Sequence, residues 1–276
     1  MKTLNILSVI FFSLFLFSCE DAIDIDLKEG KQALVVEGWL TNKPQPHYVK
    51  LYYTAATSAN AEFQMVAGAS LTLKDDAGNS EQLREVSPGK FEISSIHGVD
   101  GRVYTLDIST PDGNYEAVAL MKRISVTPDS LTFKYEEKSA IYEYEGYYPR
   151  ISGQELEGKG DYMQIRLYKN GKYLNSDGDF NLFEDKWVDA NYIDNAELAV
   201  ERPFSKSDTI KAEVWSLTED SYRFWVDIQT QLQNGQLFAS PLANSRTNVK
   251  KVSAGARDVI GYFGASLVTS AEAEIK

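Results

Sequence analysis

The chain has 276 residues, with 28 Lys plus Arg against 40 Asp plus Glu, and its net charge of −12 would oppose a phosphate-binding groove, so nucleic acid is not an expected partner. Hydrophobic residues make up 43% and charged residues 25%, the balance of a folded globular protein with room for one large or two ordinary cores. The single cysteine, Cys19, excludes an intramolecular disulfide and a multi-cysteine metal site.

The chain starts with Met1-Lys2 and a nearly all-apolar run from Leu4 to Phe17 that ends at Ser18-Cys19. That is the pattern of a secretory signal peptide over residues 1–18, and the run falls short of the roughly 20 residues a spanning helix needs. Leu16-Phe17-Ser18-Cys19 resembles a bacterial lipobox, in which a small residue before the cysteine permits cleavage and the thiol receives a diacylglyceryl group. The resemblance implies that Cys19 is the first mature residue and carries a covalent lipid, with no other cofactor expected. Two or more acyl chains hold firmly, because each buried CH2 contributes about 0.8 kcal/mol. Residues 19–31 then read as an acidic tether: Glu20, Asp21, Asp24 and Asp26 precede the first base, Lys28, and self-repulsion keeps such a segment extended. These four acids resemble the export signal that follows the lipid cysteine in surface lipoproteins of Bacteroidota; a plain solvated linker is the other reading.

From 32 to 124, short runs of alternating apolar residues separated by turns predict a β-sandwich of about seven strands. Leu34 to Leu40 is the first run, Val49, Leu51 and Tyr53 the next, and Leu71 and Leu73 lead into Asp75-Asp76-Ala77-Gly78-Asn79. Further turns are expected at Ser87-Pro88-Gly89-Lys90 and Pro111-Asp112-Gly113-Asn114. Gly68-Ala69-Ser70-Leu71 before the Asp75–Gly78 turn resembles the carboxypeptidase regulatory-like, transthyretin-type sandwiches of cell-envelope proteins, an immunoglobulin-like architecture.

Ser125-Val126-Thr127-Pro128-Asp129-Ser130 predicts a joint between two units, since a proline among small polar residues ends pairing on both sides. Residues 125–276 then predict a second β-rich domain, so the whole chain is expected to be mainly β. Leu131, Phe133 and Tyr135 alternate, as do Met163, Ile165 and Leu167, and Asn170-Gly171 between Tyr168 and Tyr173 is a two-residue hairpin signal. One helix is predicted over about 219–234, with Ser216 and Glu219 at capping-box spacing and Gly235 as its stop.

Candidate sites are few. His47 and His97 lie beside turn residues and no Gly-x-Ser-x-Gly elbow accompanies them, which argues against a hydrolase triad. Asp177, Asp179 and Asn181 alternate as in a calcium loop, yet Leu182 stands where such a loop needs Gly and Val188 where it needs Glu, so no metal is expected and a plain Asp-Gly turn is the simpler reading. Tyr142, Tyr144, Tyr147 and Tyr148 concentrate flat faces and hydroxyls that suit sugar rings or protein surfaces, and Trp187 and Tyr192 invite the same reading; a packed sheet edge is the alternative.

Several segments together resemble a Bacteroidota lipoprotein family, domain of unknown function 4249. They are Cys19 to Leu27, Leu34-Val35-Val36-Glu37-Gly38-Trp39-Leu40, Asp75 to Asn79, Glu85 to Gly89, Leu182-Phe183-Glu184-Asp185, Tyr222-Arg223-Phe224-Trp225 and Val259-Ile260-Gly261-Tyr262-Phe263. Ser240 to Asn248 departs from the pattern, being less proline-rich. The resemblance implies an outer-membrane lipoprotein facing the cell exterior, encoded beside TonB-dependent receptors, with no catalytic residues to carry over. The expectation is therefore a non-enzymatic accessory or ligand-capture subunit of a TonB-dependent transporter, with an unspecified ligand. A free-standing glycan- or peptide-binding lipoprotein is the alternative, and a carboxylate-based hydrolase the least favoured.

Overall fold

The computed structural model describes residues 32–55, 62–234 and 244–276, without the side chain of Trp187. The signal peptide, Cys19, the acids Glu20, Asp21, Asp24 and Asp26, and Gly235 lie outside the described residues. Within them the chain is mainly β, with a single α-helix.

The first stretch forms β1 (Leu34–Thr41), β2 (His47–Tyr53), β3 (Ser70–Asp75), β4 (Ser80–Gln82), β5 (Arg84–Ser87), β6 (Lys90–Ile93), β7 (Val103–Thr110) and β8 (Gly113–Leu120). The middle forms β9 (Val126–Glu136), β10 (Gly146–Glu155), β11 (Tyr162–Lys169), β12 (Lys172–Tyr173), β13 (Asn181–Glu184), β14 (Tyr192–Glu197) and β15 (Thr209–Leu217). Helix α1 (Glu219–Gln233) follows, and then β16 (Val249–Lys251), β17 (Val259–Ser266) and β18 (Val268–Glu274).

Turn chemistry places the hairpins where the sequence predicts them. Asp75 accepts from the backbone N–H groups of Ala77 and Asn79 and so closes the β3–β4 turn, while Gly78 supplies the positive φ of 87°. Asn170 and Gly171 both have positive φ, 50° and 79°, as a two-residue hairpin of matched twist requires.

Four sheets make two face-to-face pairs. Sheet β17-β1-β2-β6-β5 packs on sheet β16-β8-β7-β3-β4 around Leu34, Val36, Leu51, Leu73, Tyr104, Leu106 and Phe263. Sheet β14-β10-β9 packs on β12-β11-β15-β18, to which β13 is added, around Ile151, Ile165, Leu167, Ile210 and Val214. Burying each such side chain contributes about 1.5–3 kcal/mol, and the alternating patterns of β3, β7 and β8 are what direct them inward.

Strand pairing crosses the boundary predicted at 124 and 125. β17 runs parallel to β1, from Leu34 opposite Val259 to Thr41 opposite Ser266, and β16 pairs with β8. Residues 249–266 thus complete the first sandwich by covering edges that β1 and β8 would otherwise leave open. The expected joint at 125–130 is also different: Pro128 lies inside β9, opposite Gly153, where the register with β10 shifts. A bulge on an edge strand tolerates a residue with no N–H to give.

Instead the two sandwiches meet where β17 turns into β18. Ser216 exchanges backbone hydrogen bonds with Leu267 through its N–H and hydroxyl, its Oγ donates to the Lys122 carbonyl at 2.7 Å, and the Ser266 Oγ donates to the Ser216 carbonyl at 2.5 Å. Ser216 is therefore committed to this joint and does not cap α1. The cap is Thr218, whose side chain accepts from the Ser221 N–H at 3.2 Å while Ser221 Oγ accepts from the Thr218 N–H. Glu219 and Asp220 in the first turn complement the helix dipole. Among the described residues, no helix is long and apolar enough to cross a membrane.

Candidate functional site

On β1, Leu34, Val36 and Leu40 face the core, which turns Trp39 out toward α1. The Trp39 indole lies flat over β17, and only glycine at 264 permits it: a Cβ there would sit 2.5 Å from the ring. Its Nε1 donates to Ser266 Oγ at 2.8 Å, tying the ring to the joint between the sandwiches. Tyr262 stacks on Trp39 with centroids 5.9 Å apart, and Trp225 of α1 tilts against Trp39 at 5.7 Å. The Tyr262 hydroxyl donates to Asp220 at 2.7 Å, and burial with that nearby acid raises its pKa far above the usual tyrosine range.

These rings wall a cleft of about 610 Å³ between the outer face of β1, β2 and β17 and the helix. His47, Tyr48 and the Glu37–Lys50 ion pair also line it. Arg166 of β11 lines it as well. The alternation of β11 sends Met163, Ile165 and Leu167 into the second core and Gln164 and Arg166 the other way.

Directly across from Arg166 in the sheet is Glu213, its natural counter-ion. That carboxylate is already taken. Lys43 reaches it at 2.7 Å and Lys211 at 2.8 Å, and Tyr168 and Trp215 donate to its other oxygen. Burial alone would raise the Glu213 pKa, but the two lysines outweigh it and hold it below the usual range. Arg166 is left with the face of Trp215, 3.6 Å from the guanidinium carbon, and with Gln164, to which Nε donates at 2.8 Å. It forms no ion pair among the described residues, and burial lowers its pKa. Trp225 adds a second free donor, because its buried Nε1 has no hydrogen-bond partner. A cleft with aromatic walls and a few convergent polar atoms is a usual form of small-molecule site. This one offers flat walls and two donors, which suits an anion with an apolar or aromatic body.

A second cluster lies in the other sandwich. Glu155 ends β10, Asp161 immediately precedes β11, and Asp185 opens the 3-10 turn Asp185–Trp187. All three are buried, at 1%, 3% and 4% exposure, and one carboxylate oxygen from each lies within 4.8 Å of the others. Arg123 binds Asp161 through Nε and Nη2 at 3.0 and 2.7 Å, and the Asp161 N–H donates to Asp185 at 3.1 Å. Glu155 accepts the Ala190 N–H on Oε2 at 2.6 Å, whereas its buried Oε1 has no partner. Burial, then the charges of Asp185, Asp161 and Asp189, raise the Glu155 pKa despite that hydrogen bond.

A family model described as Domain of unknown function (DUF4249) matches residues 20–272. The chain belongs to that family. No curated protein shows significant similarity to it.

In this DUF4249 chain the residues singled out from sequence fall in separate places, although Tyr142 and Tyr148 pack together with ring centroids 4.6 Å apart. Asp179 accepts the N–H groups of Ser176 and Glu201, and Asn181 bonds the carbonyls of Asp179 and Ala199 and the Ala199 N–H. Asp177 accepts the Gly178 N–H, so these side chains staple a loop rather than face a common point. Tyr142 donates to Glu197, Tyr144 to Glu143 and Tyr148 to the Tyr144 carbonyl. Tyr147 packs edge-on against Tyr135 at 5.2 Å, and Arg202 lies over the Tyr144 ring at 3.8 Å. Tyr192 is exposed on β14 opposite Gln154, at the far end of β10 from Tyr147. The Trp187 side chain lies outside the described residues.

Sequence reasoning missed Arg166, Trp39, Trp225 and the acid cluster. A readable signal existed for Arg166, a charge alternating against the apolar face of a strand. None existed for the acids, whose spacings of 6 and 24 residues match no motif.

Proposed function

We propose that the chain is a cell-surface, outer-membrane lipoprotein that acts as a non-enzymatic ligand-capture subunit of a TonB-dependent transporter, and that the aromatic cleft holds its ligand. The observation that carries the capture role is Arg166, half-buried among aromatic rings with its cross-strand acid committed to two lysines. The anchor rests on Cys19 at the lipobox position and on the acidic segment behind it. The ligand best suited to the cleft is an organic anion with a flat apolar body.

Fluorescence of the cleft tryptophans reads this directly. A panel of aryl carboxylates should quench it saturably, their uncharged amides should not, and Arg166→Gln should weaken binding about tenfold or more, since a charge-assisted hydrogen bond is worth about 1.5–3 kcal/mol. Equal affinity for acids and amides would reject the cleft as an anion site. For the partner, the tagged lipoprotein purified from detergent-solubilised outer membranes should bring a barrel protein with it, and Cys19→Ala should move it to the soluble fraction. Recovery of the protein alone, or a Cys19→Ala variant that still sediments with membranes, would refute the transporter and anchor parts respectively.

A further inference from the structure

We infer that Glu155, Asp161 and Asp185 form a binding site for a divalent cation of the calcium type, which clamps three segments of the second sandwich together. Two observations carry it independently. One is spacing: a calcium ion lies about 2.3–2.6 Å from each oxygen ligand, so a single ion reaches oxygens up to about twice that far apart, and the three carboxylates fall within 4.8 Å of one another. The other is Glu155 Oε1, which belongs to a side chain only 1% exposed and is left without any hydrogen-bond partner. A buried anionic oxygen with nothing to bond is costly, and a cation is the partner that removes the cost.

The donor set selects the kind of ion. All three groups are hard carboxylates with no His or Cys among them, which suits calcium or magnesium over zinc or copper. Arg123 offsets one of the three charges through Asp161, and a divalent ion matches the remaining two. Arg123 Nη2 also donates to the carbonyls of Glu157 and Gly158, so the loop at 156–160 is already drawn around the cluster. Asp189 continues the same clamp by accepting the Gly158 N–H at 2.8 Å. The irregular ligands come from the end of β10, the start of β11 and the turn after β13, so the ion would fix the β10–β11 loop against residues 185–190. The Asp177, Asp179 and Asn181 loop is not this site, because Asp179 and Asn181 are spent on backbone groups.

The test uses the mature chain stripped with a chelator and dialysed. Adding about 1 mM Ca2+, the range in which extracellular calcium modules bind, should raise the unfolding temperature by several degrees. Equilibrium dialysis with radioactive calcium should retain one equivalent. Glu155→Gln and Asp185→Asn should each abolish both responses, while Asp177→Asn should leave them intact. No retained calcium in the wild type, or a response that survives Glu155→Gln, overturns the proposal, and loss of the response in Asp177→Asn overturns it by moving the site to the other loop. If Glu155→Gln fails to fold, retention by the wild type and its loss in Asp185→Asn decide the matter. A Glu155 that is simply protonated gives no retention and a Glu155→Gln protein that is more stable with or without calcium, which also counts against the proposal.

Discussion

Glu81 and Glu155 are both buried glutamates on strands, one in each sandwich, and the fold treats them oppositely. The Glu81 carboxylate accepts four hydrogen bonds, from the N–H groups of Ser94, Ser95 and Ile96 and from Ser94 Oγ, at 2.7 to 3.0 Å. Burial would raise its pKa, but those bonds outweigh burial and hold it below the ordinary range. Glu155 receives one bond and three neighbouring negative charges, and its pKa goes up. A buried acid is thus no sign of a site by itself; what separates clasp from candidate ligand is whether its oxygens are already satisfied.

The largest effect should come from breaking the clasp. Glu81→Gln puts an amide NH2 against backbone donors and leaves some of them unbonded, which should cost about 3 kcal/mol. A lowered urea midpoint with unchanged slope would show it. A loss under about 1 kcal/mol would mean that the 94–96 strap finds other acceptors, and the contrast with Glu155 would lose its first half.

Asp75 sharpens the same half. Burial works against its charge, but Asn79, Arg102 and the Ala77 N–H bond it so well that its pKa falls to about 2. Because the folded value lies below the unfolded one of about 3.9, the stabilisation is complete above pH 4 or so and is lost as pH falls toward 2. Asp75→Asn should cost about 1.5 kcal/mol at neutral pH and should flatten the fall in stability between about pH 4 and pH 2. Urea midpoints at a series of pH values, wild type against variant, read both.

These clasps and turns were partly legible in the sequence. Asp75 to Asn79, Asn170-Gly171 and the alternation of Leu71, Leu73, Leu106 and Ile108 are local patterns, and the β-sandwich follows from them. The pairing of β17 with β1 was not legible, because residues about 225 positions apart leave no periodic trace of one another. For the same reason the cleft was hidden: Trp39, Arg166, Trp225 and Tyr262 come from four elements that only the return of β17 and the docking of α1 bring together. The tyrosine-rich segment was conspicuous in composition, yet Tyr142, Tyr144 and Tyr148 spend their hydroxyls on acceptors of their own chain. Composition records residues, whereas a site depends on which of their atoms remain unpaired.

The smallest predicted effect carries the most information, because its sign is opposite. In chelator at pH 7, Glu155→Gln should stabilise the protein by about 1 kcal/mol: the Gln carbonyl still accepts the Ala190 N–H, its NH2 donates toward Asp161 and Asp185, and a repelled charge is removed. A glutamate whose folded pKa lies above its unfolded value of about 4.3 contributes fully below that pH and loses the contribution as pH rises. The gap between variant and wild type should therefore widen from pH 4 to pH 7, the reverse of Asp75. Calcium should then invert the order, since the wild type gains an ion that the glutamine variant cannot hold. Urea midpoints with and without calcium read all of this. If the variant is destabilised in chelator at every pH, Glu155 is another clasp like Glu81, and the distinction between the two sandwiches disappears.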